Sequence, residues 1–421
     1  SNSSTNGAPT RLVKLFIASS SSFVFGVDRS ARSHLVESIQ FRRRSGSPIR
    51  RHSVAVTAPH TVATVGGRLY LWAVHLATGP ILGLTNAGNV LKTHEQIHEA
   101  EDIETMSIVV VGTLAYDSIE TPFDKVENAL GGSANYIAVA ADYLADGIGV
   151  VSIVGDDYAD TDMGRLTNRG IDVGGVEVKE DGKSFRWSGR YHLDLNTRDT
   201  LETHLNVLAE FAPVVPENMK EASFVCLGNL APDTQTSVLD QMSGTPYSIC
   251  DTMNFWIESA PDDLRKVLAR VDCLIINDSE ARDLADDPSL IRAARKIREM
   301  GPSTLVIKKG EHGALLFTDD GIFSAPAWPL EEVFDPTGAG DTFAGGFVGY
   351  LARCGEVTPA SLRSAVIYGS ALASFCVEKF GLDRILDLTA AEIDERVAAF
   401  AALSAFETVH PLSKGVPDAT A

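Results

Sequence analysis

The sequence predicts an α/β protein: a mostly parallel sheet flanked by helices, with a small β-sheet lid laid over it. Two textures carry that expectation. Short continuous runs of β-branched and apolar residues, such as Ser107–Gly112 (SIVVVG) and Ile148–Val154, recur between helix-like segments, as strands buried on both faces do. Ser184–Leu195 and Leu201–Val207 instead alternate apolar and polar residues around a turn-like Asn196-Thr197-Arg198-Asp199, the pattern of a hairpin with one apolar face.

Taken in order, Asn135–Leu144 is Ala-rich and helix-like, and Ile148–Val154 is a second buried strand. Beyond the hairpin, strands are expected at Phe224–Leu227, Tyr247–Asp251, Cys273–Asn277, Leu305–Lys308 and Ala314–Phe317. Helices are expected at Ser289–Met300 and near Asp341–Arg353, Pro359–Glu378 and Ala390–Phe400. Repeated βα units imply a parallel sheet with helices on both faces.

The 421 residues carry a net charge of −20, a poor balance for wrapping nucleic acid or coating an anionic membrane. That charge is uneven. From Ser1 to His94 the only acids are Asp28 and Glu37, while Arg42, Arg43, Arg44, Arg50 and Arg51 cluster. The first methionine is Met106, directly before an apolar strand. Residues 1–105 therefore read as an N-terminal extension, a targeting peptide or a stretch foreign to the natural protein, which is expected to begin near Met106. Residues 106–410 form the main domain, with lid strands near 114–125 and 184–208, and 411–421 a tail. The apolar stretch Leu69–Leu84 is interrupted by His75 and Gly79-Pro80 and is shorter than the ~18 residues of a membrane helix. Five cysteines, none in a C-x-x-C pair, read as buried reduced thiols of a cytoplasmic protein; organellar import through the extension is the alternative.

The strongest chemical signal is Asp335-Pro336-Thr337-Gly338-Ala339-Gly340-Asp341-Thr342-Phe343-Ala344-Gly345-Gly346. Small residues let the backbone turn tightly and expose successive N–H groups, and a helix N-terminus follows at once. Together they make an anion hole for a phosphate, lined by Gly338, Ala339 and Gly340. A carboxylate at Asp341 can accept a hydroxyl proton beside that hole; the plainer reading makes it a helix cap. No Lys-Ser or Lys-Thr follows the glycines, so this is not the Walker-type loop. Asp251, Asn254 and Trp256 follow a strand end, where α/β sheets bind ligands, and are substrate-site candidates. Arg186, Arg190 and Arg198 lie on the hairpin's polar side, where one of them can reach substrate or phosphate.

The DPTGAGDTFAGG stretch resembles the C-terminal signature of the ribokinase-like (PfkB) carbohydrate kinases. Gly131-Gly132-Ser133-Ala134-Asn135 is similar to that family's N-terminal glycine pair, Asn277-Asp278-Ser279-Glu280 to its N-x-x-E element, and Lys308-Lys309-Gly310-Glu311-His312-Gly313 to its nucleotide-side turn. The resemblance runs from about Ser107 to Phe406. It implies a ribokinase-like three-layer fold and an ATP- and Mg²⁺-dependent kinase of a sugar or nucleoside hydroxymethyl group. It implies that Asp341 is the base, and that Asp117, Gly131, Gly132 and Asn135 bind substrate. Asn277 and Glu280 would organise Mg²⁺ through water and phosphate. Lys308, Gly310 and Gly313 would face ATP, Lys308 standing where the family often has a small hydroxyl residue. Asp335 and Thr337 match positions that hold a monovalent cation such as K⁺ in some members, and the hairpin matches the family's lid.

Two other classes compete. A non-catalytic ligand-binding or regulatory protein on the same fold would be expected to lose its base, and Asp341 is present. A dinucleotide-dependent dehydrogenase would need G-x-G-x-x-G after the first strand, where Val111-Gly112-Thr113-Leu114 stands. The hairpin's apolar face needs covering, either over the cleft or on the same face of a second subunit. The second choice predicts a homodimer through the lid that buries Phe185, Trp187 and Tyr191.

Overall fold

The computed structural model describes residues 106–405 and, upstream, five short strands alone. The chain divides into two compact units, Ser1–Asp102 and Ile103–Ala421. In the first, β1 (Leu12–Leu15) pairs antiparallel with β2 (Phe23–Gly26), and β3 (His60–Val65), β4 (Arg68–Ala73) and β5 (Thr85–Asn86) form a second antiparallel sheet. The apolar stretch Leu69–Leu84 thus begins in a strand, and its remainder lies outside the described residues, as does the tail 411–421.

The second unit is built around β6 (Ile108–Val111), four β-branched residues with no solvent exposure. Ile108 and Val110 enter one apolar core and Val109 and Val111 the other, which is why the strand reads as an unbroken apolar run. β9 (Ile148–Gly155) lies parallel on one side of β6 and β13 (Phe224–Leu227) on the other. β14 (Tyr247–Asp251), β15 (Cys273–Asn277) and β16 (Thr304–Lys308) continue in parallel beyond β13. β10 (Asp172–Lys179) adds to β9, and the antiparallel pair β17 (Ala314–Thr318) and β18 (Gly321–Ala325) closes the far edge. The nine strands run in the order β10-β9-β6-β13-β14-β15-β16-β17-β18. The chain goes outward from β6 first one way and then the other. A crevice therefore opens at the carboxyl ends of β6 and β13, the usual ligand position in such sheets.

One face is covered by α1 (Ser133–Asp142), α2 (Asp160–Thr167) and, from the C-terminal third, α8 (Ala339–Cys354), α9 (Pro359–Cys376), α10 (Asp383–Leu386) and α11 (Ala390–Ser404). The other face carries α3 (Pro232–Gln241), α4 (Asn254–Ser259), α5 (Pro261–Leu268), α6 (Asp278–Ala285) and α7 (Leu290–Arg298). The expected three layers are present. α8 approaches α1 closely because a Cβ on Gly345 would fall 2.8 Å from that of Ala140 and one on Gly349 2.9 Å from the Ala141 backbone.

The lid is a separate sheet of β7 (Ala115–Glu120), β8 (Lys125–Gly131), β11 (Phe185–Tyr191) and β12 (Arg198–His204), in the order β12-β11-β7-β8. β7 and β11 run parallel, and the other neighbours antiparallel. The hairpin turn differs from the expectation. It spans 192–197, and Arg198 and Asp199 begin β12. Asp194 sets it, its Oδ1 accepting from the N–H groups of Asn196 (3.1 Å) and Thr197 (2.9 Å), an Asx-type closure.

Candidate active site

Four strand ends and one helix start converge at the crevice. After β6 the chain is pinned at Thr113: its N–H donates to Ser133 Oγ (3.1 Å), and the Ser133 N–H donates back to Thr113 Oγ1 (3.0 Å). This clasp holds Gly131 and Gly132 beside Asp117. Gly132 has φ 91°, and a Cβ there would come within 2.8 Å of the Ala115 nitrogen, so only glycine fits. A side chain at Gly131 would strike the Asp117 carboxylate itself. Burial lifts the Asp117 carboxyl to about 7, with the charges of Asp335 and Asp341 adding, while the Gly132 N–H opposes the shift. Asn135 is fully buried; its amide donates to Gly131 O (2.6 Å) and to the Tyr158 hydroxyl (3.1 Å). The structure thus places Asn135 as a brace behind the glycine pair.

The glycine turn before α8 is held from below. Asp335 is fully buried, and its carboxylate accepts the N–H groups of Thr337 (2.8 Å) and Gly381 (3.0 Å). Gly338 takes φ 74° at the helix N-cap, directly over the ring of Tyr136, where any Cβ would overlap that ring. Asp341 stands in the first turn of α8. Burial pushes its carboxyl up to about 7; Asp251 and Glu280 add to the rise, and Lys308 and Arg198 oppose it. At neutral pH such a group divides between base and acid, the condition a general base needs.

The other side of the crevice is formed by the ends of β14, β15 and β16. Asn277 and Lys308 are paired in register at the ends of β15 and β16. Asn277 caps α6 reciprocally with Glu280: the Glu280 N–H donates to Asn277 Oδ1 (2.8 Å), and the Asn277 N–H donates to Glu280 Oε2 (2.8 Å). Glu280 is therefore a helix-start acid as well as a candidate metal-organising one. It is buried, and that burial, with Asp251 next, lifts its carboxyl to about 7. Asp251 is likewise raised by burial and drawn back by Lys308, whose Nζ lies 4.0 Å from Asp251 Oδ1. Gly310 and Gly313 both take positive φ, and Lys309 N donates to Gly313 O (2.8 Å), closing the nucleotide-side turn. Asn254 and Trp256 are tied elsewhere: the Asn254 amide donates to Asp283 (2.9 Å), and the Trp256 indole to Asn229 (3.0 Å).

The lid reaches both halves. Trp187 is in register with Asp117 across β11 and β7, so the hairpin's apolar face looks into the cleft. Thr337 Oγ1 donates to the Tyr191 hydroxyl (3.1 Å), which places Tyr191 against its own glycine turn and not on an outer surface of the lid. At the hairpin tip Asn196 lies against Gly310, where a Cβ would collide with its Oδ1. Arg198 is exposed, yet its charge lowers Asp251, Glu280 and Asp341 alike. Arg186 packs on the Tyr116 ring and pairs with Asp157 (2.8 Å), and Arg190 pairs with Glu120 (2.9 Å). Sequence reading missed Tyr136 and Asn196 as cleft residues. The only signal was position: one follows Asn135, and the other tips the hairpin.

A doubly wound sheet with a carboxylate at a glycine-rich helix start, acids on the nucleotide side and a lid bridging the two defines a small-molecule phosphotransferase. The chain belongs to the pfkB family of carbohydrate kinases, whose profile matches residues 105–387, and within it is a sugar or nucleoside kinase of ribokinase type. It is 28% identical over 254 residues to a cytidine kinase of Thermococcus kodakarensis, covering 59% of this chain and 89% of that one. A nucleoside kinase of Methanocaldococcus jannaschii, described as an archaeal member of the ribokinase family, superposes with a TM-score of 0.57 at 20% identity, over 70% of this chain and 99% of that one. An aminoimidazole riboside kinase of Salmonella enterica, solved with aminoimidazole riboside and an ATP analogue, superposes with a TM-score of 0.55 at 21% identity, over 69% and 99%. Kinases of this family generally use ATP and Mg²⁺.

Proposed function

We propose that the protein transfers the γ-phosphoryl group of ATP to a hydroxymethyl group of a nucleoside or sugar. The observation that carries this reading is Asp341: a half-buried carboxylate raised to about 7, in the first turn of α8 beside the backbone N–H groups of Gly338, Ala339 and Gly340. Asp117 and Gly132 hold the acceptor from the lid side. Asp341 takes the hydroxyl proton as the new O–P bond forms, and the bond from phosphorus to the ADP oxygen breaks. The N–H groups of the turn meet the charge on the transferred group.

The residues fit the implied partners. Gly310 and Gly313 hold the tight positive-φ turn that follows Lys308, and the acids Glu280 and Asp251 suit a hard divalent cation held through water. Mg²⁺, when bound with the nucleotide, supplies positive charge at the phosphate oxygens. Asp335 accepts the backbone N–H groups of Thr337 and Gly381 and has no cationic side chain paired with it among the described residues, so with Thr337 it suits a monovalent cation such as K⁺. The kinase domain proper is residues 106–410, acting in the cytoplasm as a homodimer joined through the lid; among the described residues no helix is long and apolar enough to cross a membrane.

A panel of nucleosides and sugars, assayed for acceptor-dependent ADP release, tests the reading. Turnover is expected with a pyrimidine or purine nucleoside above that with free hexoses, given the nucleoside kinases among the relatives. Binding of nucleosides without any ADP release would favour a non-catalytic role.

A further inference from the structure

Lys308 ends β16 where its Nζ comes within 2.7 Å of the position a Cβ would take on Gly340. The ammonium thus lies against the backbone of the anion hole, and any side chain at position 340 would displace it. Its side chain is 18% exposed, and the one carboxylate oxygen within reach among the described residues, Asp251 Oδ1, is 4.0 Å away. That is the outer limit of an ion pair, and no hydrogen bond to Nζ is made within the described residues. A partly buried ammonium with unused donors costs stability unless a ligand completes it. Arg198 begins β12 on the lid, paired across the hairpin with Tyr191, whose hydroxyl meets Thr337 in the glycine turn.

We propose that Lys308 is a catalytic residue that contacts the transferred phosphoryl group, so that Lys308 and Arg198 clasp it from the nucleotide side and the lid side. The inference rests on the kinase reading above. Lys308 keeps its proton throughout; the proton leaving the acceptor goes to Asp341, and the bonds made and broken are those already given. The lysine acts as a compact point charge with three donors.

Two consequences separate this role from a purely structural counter-charge to Asp251. A contact to the transferred group is made by ATP and lost in ADP. And Lys308 is one of the charges that set the ionisation of Asp341. That carboxyl faces Asp251 from β14, Glu280 from α6, Lys308 from β16 and Arg198 from the lid, and its charge is felt in turn by Asp117, Tyr136, Cys226 and Cys376.

The experiment is calorimetric titration of the full chain, wild type, Lys308→Met and Lys308→Arg, with Mg·ADP and with a non-hydrolysable Mg·ATP analogue. Lys308→Met should weaken the analogue about tenfold, as expected for one charge-assisted contact, and leave ADP within about twofold. Lys308→Arg should recover most of the loss. In the kinase assay the acid limb of kcat/KM should move to higher pH in Lys308→Met, because a charge that favours ionised Asp341 is gone. Equal losses for both nucleotides, or none for either, would overturn the proposal. Should Lys308→Met fail to fold, Lys308→Gln serves in the same titrations. A wild type that binds neither nucleotide overturns the kinase reading and this contact together. A wild type that binds both, with a variant indistinguishable from it, removes Lys308 alone.

Discussion

The two sheets that meet at the cleft are built on opposite principles. Every residue of β6 is fully buried, and its alternate side chains enter separate cores. Every residue of β12 is exposed. The large sheet holds Asp341, Glu280 and Lys308 at strand ends and helix starts whose backbones are braced by caps and tight glycines. The lid brings Trp187, Tyr191 and Arg198 on strands covered on one side at most. On the proposed function, the base falls on the over-determined element and closure on the other, whose exposed strands with few apolar contacts belong to the low-stability end of a fold.

The sharpest way to break the comparison is at its rigid pole. Asp341→Asn keeps shape but cannot accept a proton, and turnover should fall at least ~10²-fold with nucleotide binding kept. The same change should raise the thermal midpoint of the unliganded protein at pH 8. The sign follows from burial: the folded carboxyl titrates near 7, above its unfolded value of about 4, so its ionisation opposes folding increasingly as pH rises through that window. At pH 5 the gain should be small. In the wild type, kcat/KM should fall as pH drops below about 7, as the base is protonated. Unchanged turnover in Asp341→Asn would remove the residue from the mechanism.

At the mobile pole the effect should be smaller and of a different kind. Arg198 is exposed, its guanidinium carbon 6.0 Å from the centre of the Trp187 ring. Arg198→Met should lower kcat about tenfold while leaving the melting temperature unchanged, because one screened charge at a surface contributes little to folding but much at a developing phosphoryl charge. Differential scanning fluorimetry beside steady-state kinetics checks both halves. A large loss of stability would mean the lid is part of the folded core.

How much was legible in the sequence divides along the same line. β13, β14 and β15 fall where their apolar runs placed them, since burial on both faces leaves a continuous signal. The glycine turn and the N-x-x-E element were legible because each is local: a few consecutive residues make the whole device. β8 was only partly seen, since KVENALG has neither a continuous run nor a clean alternation. β10 and β18 went unread for the same reason, both being edge strands with mixed burial. The cleft roles of Tyr136 and Asn196 depend on Gly338 and Gly310, partners far away in the chain, and a residue's own neighbours say nothing of such contacts. Tyr191 was expected at a subunit contact because its strand alternates; alternation reports that one face is apolar, not what covers it.

The smallest effect on activity, and the finest test of the comparison, concerns what covers the rest of the lid. β12 is the end strand of its sheet, with one edge unpaired in the described chain, and Leu201 at its centre is 45% exposed. Leu201 is the extra residue of a bulge against β11, between Thr200 paired with Gly189 and Glu202 paired with Ser188, so a pairing partner must accommodate a kinked edge. A two-fold contact between two copies of β12, antiparallel and centred on Leu201, would set Leu201 against its own copy, Thr200 against Glu202, Asp199 against Thr203 and Arg198 against His204. No like-charged carboxylates would stand directly opposite, so the strand is compatible with itself. Because Trp187 and Tyr191 look into the cleft, the dimer needs neither. Light scattering at micromolar concentration should give a dimer mass for the wild type and a monomer mass for Leu201→Asp, which places two like charges at the axis. Turnover per subunit should stay within about twofold, since no catalytic group lies at that position. A wild type that is monomeric across this range rules the contact out. A Leu201→Asp variant that stays dimeric places the interface elsewhere on the lid or outside it.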